Sequence, residues 1–200
     1  FSHLNGMFAI AIWDSKRRQL VLGRDRLGQK PLVYAQASQR LLFASELKAI
    51  LKIPGVSREI DFNAVDDYLA YQYVPHPYTI FKDIKKLPPA HRAIYKSGEL
   101  TVEPYWNPRW GSERDCSYES AKDELRRLMK SAVELRMRAD VPLGAFLSGG
   151  IDSSLVVALM QQVADQPIKT FSIGFDQKEY DETNYARCLL YTSPSPRDIS

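Results

Sequence analysis

The stretch Leu147-Ser148-Gly149-Gly150-Ile151-Asp152-Ser153-Ser154 constrains this chain more than any other. Ahead of it, Val141 to Leu147 is an apolar run broken only by Pro142 and Gly144, and it reads as a short buried strand. Behind it, Leu155-Val156-Val157-Ala158-Leu159-Met160 reads as a helix. A strand, a glycine pair and a helix start predict an anion site. Both glycines can take positive φ, which lets backbone N–H groups converge on an oxyanion. The free N–H groups and positive dipole end of the helix add to the same place. Ser148, Ser153 and Ser154 can donate further hydrogen bonds. Asp152 would repel a bare phosphate, so it makes sense as the holder of a hard cation. Mg²⁺ prefers one or two carboxylates plus substrate phosphates. The plain alternative, a capped Gly-Gly turn, leaves the combination of two glycines, a carboxylate and three hydroxyls unexplained. No lysine follows Gly150, which excludes the Gly-x4-Gly-Lys-Ser/Thr loop.

Ahead of this stretch the pattern is one of short strands. Met7 to Trp13 is apolar on both faces, the mark of a strand buried between two layers. After a polar turn, Gln19 to Gly23 reads as a second strand, and Leu32-Val33-Tyr34 and Leu41 to Ala44 complete a meander. The charged loop Arg24-Asp25-Arg26-Leu27-Gly28-Gln29-Lys30-Pro31 lies between them, read either as an ion-pair network at a domain seam or as a solvated loop. Glu46 to Lys52 is a short helix stopped by Pro54-Gly55, and Asp61 caps another through Tyr71, with Val65, Tyr68 and Leu69 on one face. Ile80 to Leu87, Arg92 to Tyr95 and Leu100 to Val102 are further strands, the last two joined at Ser97-Gly98. Residues 107–117 lose all periodicity and read as an interdomain linker. Ser117 caps a helix carrying Ala121, Leu125, Leu128, Ala132 and Leu135 at helical spacing. Beyond the glycine loop, Gln166-Pro167 ends its helix, and Lys169 to Asp176 alternates as a strand of the same sheet. Strand, helix, strand in this order predicts a parallel, right-handed crossover with the loop at the carboxyl end of its first strand.

Composition narrows the function classes. A formal net charge of +3 is too small to argue for nucleic acid, and Arg126-Arg127, Lys130, Arg136 and Arg138 alternate with apolar residues as a solvated helix face does. No apolar run reaches membrane-span length and no signal peptide is visible. Two cysteines, Cys116 and Cys188, suggest neither a disulfide framework nor a metal cluster, and a reducing cytoplasm fits. His3, His76 and His91 have no metal-ligand spacing. Tyr68, Tyr71, Tyr73 and Tyr78 read as packing residues, not a base-stacking platform.

The loop resembles the pyrophosphate loop, Ser-Gly-Gly-x-Asp-Ser, of the ATP pyrophosphatase families, which cleave ATP between its α and β phosphates. The N-terminal half resembles the class II glutamine amidotransferase domain. The matching residues are Leu4-Asn5-Gly6-Met7-Phe8-Ala9, Trp13-Asp14, Arg24 to Leu32, Phe43 to Ala49, Thr79-Ile80-Phe81, Lys86-Leu87-Pro88-Pro89 and Tyr105-Trp106. Together, in this order, the halves resemble glutamine-hydrolysing asparagine synthetase over roughly residues 1 to 187. The fold the resemblance implies is α/β (α+β). Residues 1–106 would be the C-terminal part of an α/β/β/α amidotransferase sandwich, and 107–117 a linker. Residues 118–187 would start a parallel-sheet ATP-pyrophosphatase (adenine nucleotide α-hydrolase-like) domain.

The activity implied is formation of asparagine from aspartate, glutamine, ATP and water through β-aspartyl-AMP, releasing glutamate, AMP and pyrophosphate. By resemblance Ser148, Gly149, Gly150, Asp152, Ser153 and Ser154 bind the β and γ phosphates, Asp152 through Mg²⁺, and Leu147 and Ile173 contact adenosine. Ile173 reads equally as a core strand residue. The partners implied are the small molecules glutamine, aspartate and ATP, without nucleic acid or membrane, and with a homodimer as the candidate assembly. The family's nucleophilic cysteine is expected upstream of Phe1, since Cys116 and Cys188 fall outside the glutaminase segment. The chain reads as a fragment, expected to be inactive alone. Its tail, 188–200, breaks the helical pattern with two Ser-Pro pairs and reads as non-native adapter read-through or as a disordered terminus. The competing functions are a β-lactam synthetase-like or other amidotransferase enzyme and a non-catalytic nucleotide-binding module.

Overall fold

The computed structural model describes residues 1–37, 40–111, 115–177, 179 and 181–192, which divide into two compact units, Phe1–Ser112 and Glu113–Ser200. In the first unit, β1 (Ala9–Asp14), β2 (Gln19–Arg24), β6 (His91–Lys96) and β7 (Glu99–Pro104) form a four-stranded antiparallel sheet in that order. A second antiparallel sheet places β3 (Val33–Ala37) between β4 (Arg40–Ala44) and β5 (Ile84–Lys86). Pairing fixes the faces. Ala11, Leu22, Ala93 and Val102 stand opposite one another across the larger sheet, so they share a side. Leu22 and Ala93 from that side meet Leu32, Tyr34 and Leu87 in one buried cluster, which packs the two sheets face to face. The other side of the smaller sheet buries Val33, Ala35 and Ile84 against Ile50 of α1 (Leu47–Ile50).

Beside these layers runs α2 (Phe62–Tyr71), whose N-cap Asp61 accepts from the Asn63 N–H at 3.1 Å. Its apolar positions differ from the periodicity: Ala64 is buried at 1%, whereas Tyr68 and Leu69 are 54% and 74% exposed. The small side chain makes the close contact and the large ones remain uncovered among the described residues. The same holds for β1, expected to be buried on both faces. It is an edge strand with one neighbour, and Ile12 and Trp13 are 50% and 61% exposed. The run expected as a strand from Ile80 shortens to β5 because Thr79 turns the chain there. Its buried hydroxyl donates to the carbonyls of Phe81 and Ile84 at 3.1 and 2.7 Å.

In the charged loop after β2, backbone hydrogen bonds hold Arg24 and Asp25, while Leu27, Gln29, Lys30 and Pro31 stand exposed. Asp25 is 1% exposed and accepts from the backbone N–H groups of Phe8, Leu27, Gln29 and Lys30. Arg24 donates to the carbonyls of Lys30, Leu87 and Gly28 at 2.8, 2.7 and 2.6 Å. Arg26 reaches the Ser2 carbonyl and lies 5.5 Å from the Trp106 ring centre. The Tyr105 hydroxyl donates to the Arg24 carbonyl at 2.7 Å and so pins the chain end of this unit to the same loop. Tyr105→Phe is expected to cost about 1 kcal/mol in urea unfolding, the net worth of one such bond. An unchanged midpoint would show that the hydroxyl contributes nothing there.

The second unit begins with α3 (Tyr118–Arg136), capped by Ser117, whose hydroxyl accepts from the Ser120 N–H at 3.3 Å. No α3 residue is buried, although Leu125, Leu128 and Leu135 keep the helical spacing. Its charges pair three residues apart, Glu119 with Lys122, Asp123 with Arg126 and Glu124 with Arg127, on solvated surface where each pair adds little. Two short strands, β8 (Gly144–Phe146) and β9 (Lys169–Phe171), pair in parallel, with α4 (Ile151–Val163) between them in sequence. Helix α5 (Thr183–Thr192) runs past residue 187, where the sequence pattern was expected to stop. Ala186 is buried in a cluster with Leu147 and Val157, Leu189 packs on that cluster, and the first interrupting proline is Pro194. The remainder of the expected tail, 193–200, lies outside the described residues.

Candidate functional site

The site is built where the chain leaves β8. The Leu147 N–H donates to the Phe171 carbonyl at 2.8 Å, one step beyond the paired strand residues. The Leu147 side chain, 1% exposed, packs against Val157 of α4 and Ala186 of α5. Three residues then turn the chain into α4. The sequence allowed both glycines positive φ, and only one uses it. Gly149 has φ +85°, whereas Gly150 is the N-cap of α4 with φ −71° and ψ 160°. Gly149 is required for a second reason, close approach. A Cβ built there would lie 2.4 Å from Tyr185 Cβ and 2.7 and 2.8 Å from the backbone of Tyr185 and Ala186. At Gly150 the nearest such atom is Ser148 Oγ at 3.4 Å.

The serines hold the loop together. Ser148 Oγ and Ser153 Oγ are 2.9 Å apart, and the Gly150 N–H donates to Ser148 Oγ at 3.3 Å. Ser153 Oγ and Ser154 Oγ donate to the Gly150 carbonyl at 3.2 and 2.7 Å, and the Ser154 N–H donates to the same carbonyl at 3.1 Å. Among the described residues, the N–H groups of Gly149, Ile151, Asp152 and Ser153 have no partner. These donors, at the positive end of α4, are what the turn presents to an anion. Asp152 stands exposed in the same first turn. No group of three or more His, Cys, Asp or Glu gathers to hold a metal among the described residues. A lone carboxylate beside a turn with free N–H donors is the donor set that suits Mg²⁺ shared with phosphates, not a cation caged by protein.

Next to the turn, a cavity of about 210 Å³ opens beyond the carboxyl ends of β8 and β9. Leu147, Ser148 and Ile173 line it, so three of the residues singled out in the sequence share one wall system. Ile173 lies past the end of β9 and is 61% exposed, which overturns its reading as a core strand residue. Past the end of β9, expected to run to Asp176, Ser172 Oγ donates to the Leu147 carbonyl at 2.6 Å. Phe146, Phe171, Phe175 and Glu182 complete the lining, and sequence reasoning passed over all four. The phenylalanines had a signal: Phe171, Ile173 and Phe175 alternate, which puts them on one side of an extended chain.

Relatives agree with both halves of the molecule. Residues 1–106 match the glutamine amidotransferase domain family, which is more than half of the chain. The chain belongs to the glutamine amidotransferase domain family. Behind that domain, residues 124–194 match the asparagine synthase family. The chain is 36% identical over 182 residues to glutamine-hydrolysing asparagine synthetase 3 of Bacillus subtilis, spanning 88% of this chain and 30% of that one. A Methanocaldococcus jannaschii protein, provisionally named glutamine-hydrolysing asparagine synthetase 2, is 39% identical over 191 residues, 93% of this chain and 37% of its own. Amidase chry2 of Gibberella zeae is 34% identical over 172 residues, 84% of this chain and 25% of its own. This amidotransferase-family chain thus spans between about a quarter and two fifths of the relatives it matches. Its antiparallel sheets and mixed α/β architecture accord with that family. No helix among the described residues is long and apolar enough to cross a membrane.

Proposed function

We propose that this chain is part of a glutamine-dependent asparagine synthetase and that the Ser148–Ser154 turn is its ATP pyrophosphate site. The observation that carries the reading is the turn itself: free backbone donors, a helix dipole and one exposed carboxylate, at the carboxyl end of a strand in a parallel pair. On this reading residues 1–106 belong to the glutaminase domain, 107–117 are the linker, and 118–187 begin a parallel-sheet ATP-pyrophosphatase domain. Of the expected tail, 188–192 continue α5, where Leu189 packs on the Leu147 cluster. The whole enzyme would work in the cytoplasm on glutamine, aspartate and ATP, without nucleic acid or membrane, as a homodimer.

The chemistry assigned to these residues is binding and orientation. A carboxylate is a poor electrophile, and adenylating it supplies a leaving group that ammonia released from glutamine can displace. The N–H groups of Gly149, Ile151, Asp152 and Ser153 hold the β and γ phosphates in place, and charge that collects on departing pyrophosphate falls on the α4 dipole. Asp152 would hold Mg²⁺, which would supply positive charge against the same phosphates. Leu147, Ile173 and the neighbouring phenylalanines form an apolar slot for the adenine ring. Ser148, Ser153 and Ser154 keep the turn in shape and add hydroxyls to the phosphates.

Titrating Mg·ATP against the chain and its Asp152→Ala variant tests the assignment. The variant is expected to bind about tenfold more weakly, on the order of 1.4 kcal/mol. Equal affinities would remove Asp152 from the metal site. A second reading, a related amidotransferase-type enzyme acting on a different amide, draws support from the likeness to amidase chry2. Product analysis on the full-length protein with aspartate as acceptor separates the two.

A further inference from the structure

One acidic residue, Glu182, lines a mostly apolar slot. Phe146, Leu147, Phe171, Ile173 and Phe175 offer the cavity carbon surface. The two serines are committed elsewhere, Ser172 Oγ to the Leu147 carbonyl at 2.6 Å and Ser148 Oγ to Ser153 Oγ at 2.9 Å. Glu182 is the charged residue of the lining, and among the described residues its carboxylate has no hydrogen-bond or ion-pair partner. Its neighbour Asp181 is different, because that carboxylate accepts from the Thr183 N–H at 3.1 Å and serves the helix start. Glu182 takes part in the helix through its backbone, its carbonyl accepting from the N–H groups of Tyr185 and Ala186 at 3.1 and 3.2 Å. The same turn is the one pressed against Gly149. Glu182 is therefore held where the slot meets the phosphate-binding turn.

Resting on the nucleotide reading above, we propose that Glu182 binds the sugar of the nucleotide, accepting hydrogen bonds from the ribose 2′- and 3′-hydroxyls, and sets a preference for ribonucleotides. With the polyphosphate on the α4 turn and the base among the phenylalanines, the sugar falls at the junction between them. An ionised carboxylate accepts hydrogen bonds and donates none. It repels phosphate on one side, and on the other the adenine amino group is flanked by ring nitrogens that are themselves acceptors. A vicinal diol offers two donors and no charge. Parallel-sheet nucleotide sites use a carboxylate on the ribose 2′-hydroxyl for the same reason.

The test is equilibrium titration of Mg·ATP, Mg·2′-deoxy-ATP and Mg·ITP against the chain, Glu182→Gln and Glu182→Ala. Glu182 is exposed and meets α5 through its carbonyl, so both variants keep the fold, which circular dichroism verifies. The unaltered chain is expected to bind ATP about tenfold tighter than its 2′-deoxy analogue, the effect of a hydrogen bond to a charged group. Glu182→Ala is expected to bring that ratio to about one by weakening ATP more than the 2′-deoxy analogue, which keeps only its 3′-hydroxyl as a donor to Glu182, with Glu182→Gln between. An unchanged ratio, or equal weakening of both nucleotides, overturns the proposal. A change in ATP against ITP with the deoxy ratio intact places the carboxylate on the base and also overturns it. Absence of binding by any nucleotide to the folded, unaltered chain removes the nucleotide reading itself, a separate outcome.

Discussion

Asp25→Ala is expected to unfold the first unit at urea concentrations that leave the unaltered chain native. The carboxylate is 1% exposed, with Oδ1 accepting from Leu27 and Gln29 at 3.2 and 2.9 Å and Oδ2 from Phe8 and Lys30 at 3.3 and 2.9 Å. Alanine removes the acceptor and leaves these part-buried donors without their partner. Each stranded donor costs roughly 1–3 kcal/mol, so the loss is about 4 kcal/mol or more, against a typical total of roughly 5–15. Asp25→Asn keeps one acceptor oxygen but turns an NH₂ toward backbone donors, and about 2 kcal/mol is expected. Trp13, Trp106 and Trp110 all lie in Phe1–Ser112, so tryptophan fluorescence follows this unit's transition. An unmoved Asp25→Ala midpoint would show that the loop stands without its carboxylate.

The same site makes the unit acid-sensitive in a defined direction. Burial pushes the Asp25 carboxyl up, but the backbone donations from Lys30, Gln29, Phe8 and Leu27 outweigh it and hold the group below the ordinary aspartate value. A folded value below the unfolded one means the unfolded state binds the proton more readily. The stabilisation is therefore complete above the unfolded value of about 3.9 and is lost as pH falls through the folded value. Stability measured from neutral pH downward should fall below about pH 4, and Asp25→Asn should flatten that decline. Equal acid sensitivity in both proteins would assign the decline to other groups.

The second large effect is expected at Gly149. Alanine there meets two obstacles at once: φ of +85°, and a Cβ 2.4 Å from Tyr185 Cβ with α5 backbone at 2.7 and 2.8 Å. The conformation alone costs about 1–2 kcal/mol, and overlap with backbone, which cannot rotate away as a side chain tip can, adds roughly 1–3. Either the turn or the first turn of α5 must shift, and both shape the N-terminal end of α4, the proposed phosphate site. Gly149→Ala is expected to weaken ATP binding by about a hundredfold and to destabilise the second unit by about 3 kcal/mol. Gly150→Ala is the control: with φ −71° and its nearest contact at 3.4 Å, alanine fits, at a capping cost of about 1 kcal/mol. Equal behaviour of the two variants would refute the distinction between the glycines.

What was legible in the sequence is what local forces decide. Asp61 and Ser117 cap α2 and α3 because their acceptors reach N–H groups two and three residues on, a bond that needs nothing distant. The order of strand, glycine pair and helix at residues 144–163 follows from apolar runs and breakers in the same way. Periodicity marked apolar faces on β1, α2 and α3, but not whether anything covers them. Ile12, Leu69 and Leu125 are half or more exposed. A face is a property of one element, whereas burial is a property of two.

Only tertiary structure decided the rest. Asp25 sits among charged residues in an unremarkable loop, and its burial depends on Phe8 and Ala90, which bond its backbone from elsewhere in the chain. Gly149 is needed largely because α5 returns against it. Glu182 reaches the cavity because β8 and β9 pair in parallel and Ala186 packs on Leu147. These contacts join residues tens of positions apart. Their partners are chosen by the free energy of packing whole elements together, and that choice leaves no periodic trace in the residues themselves.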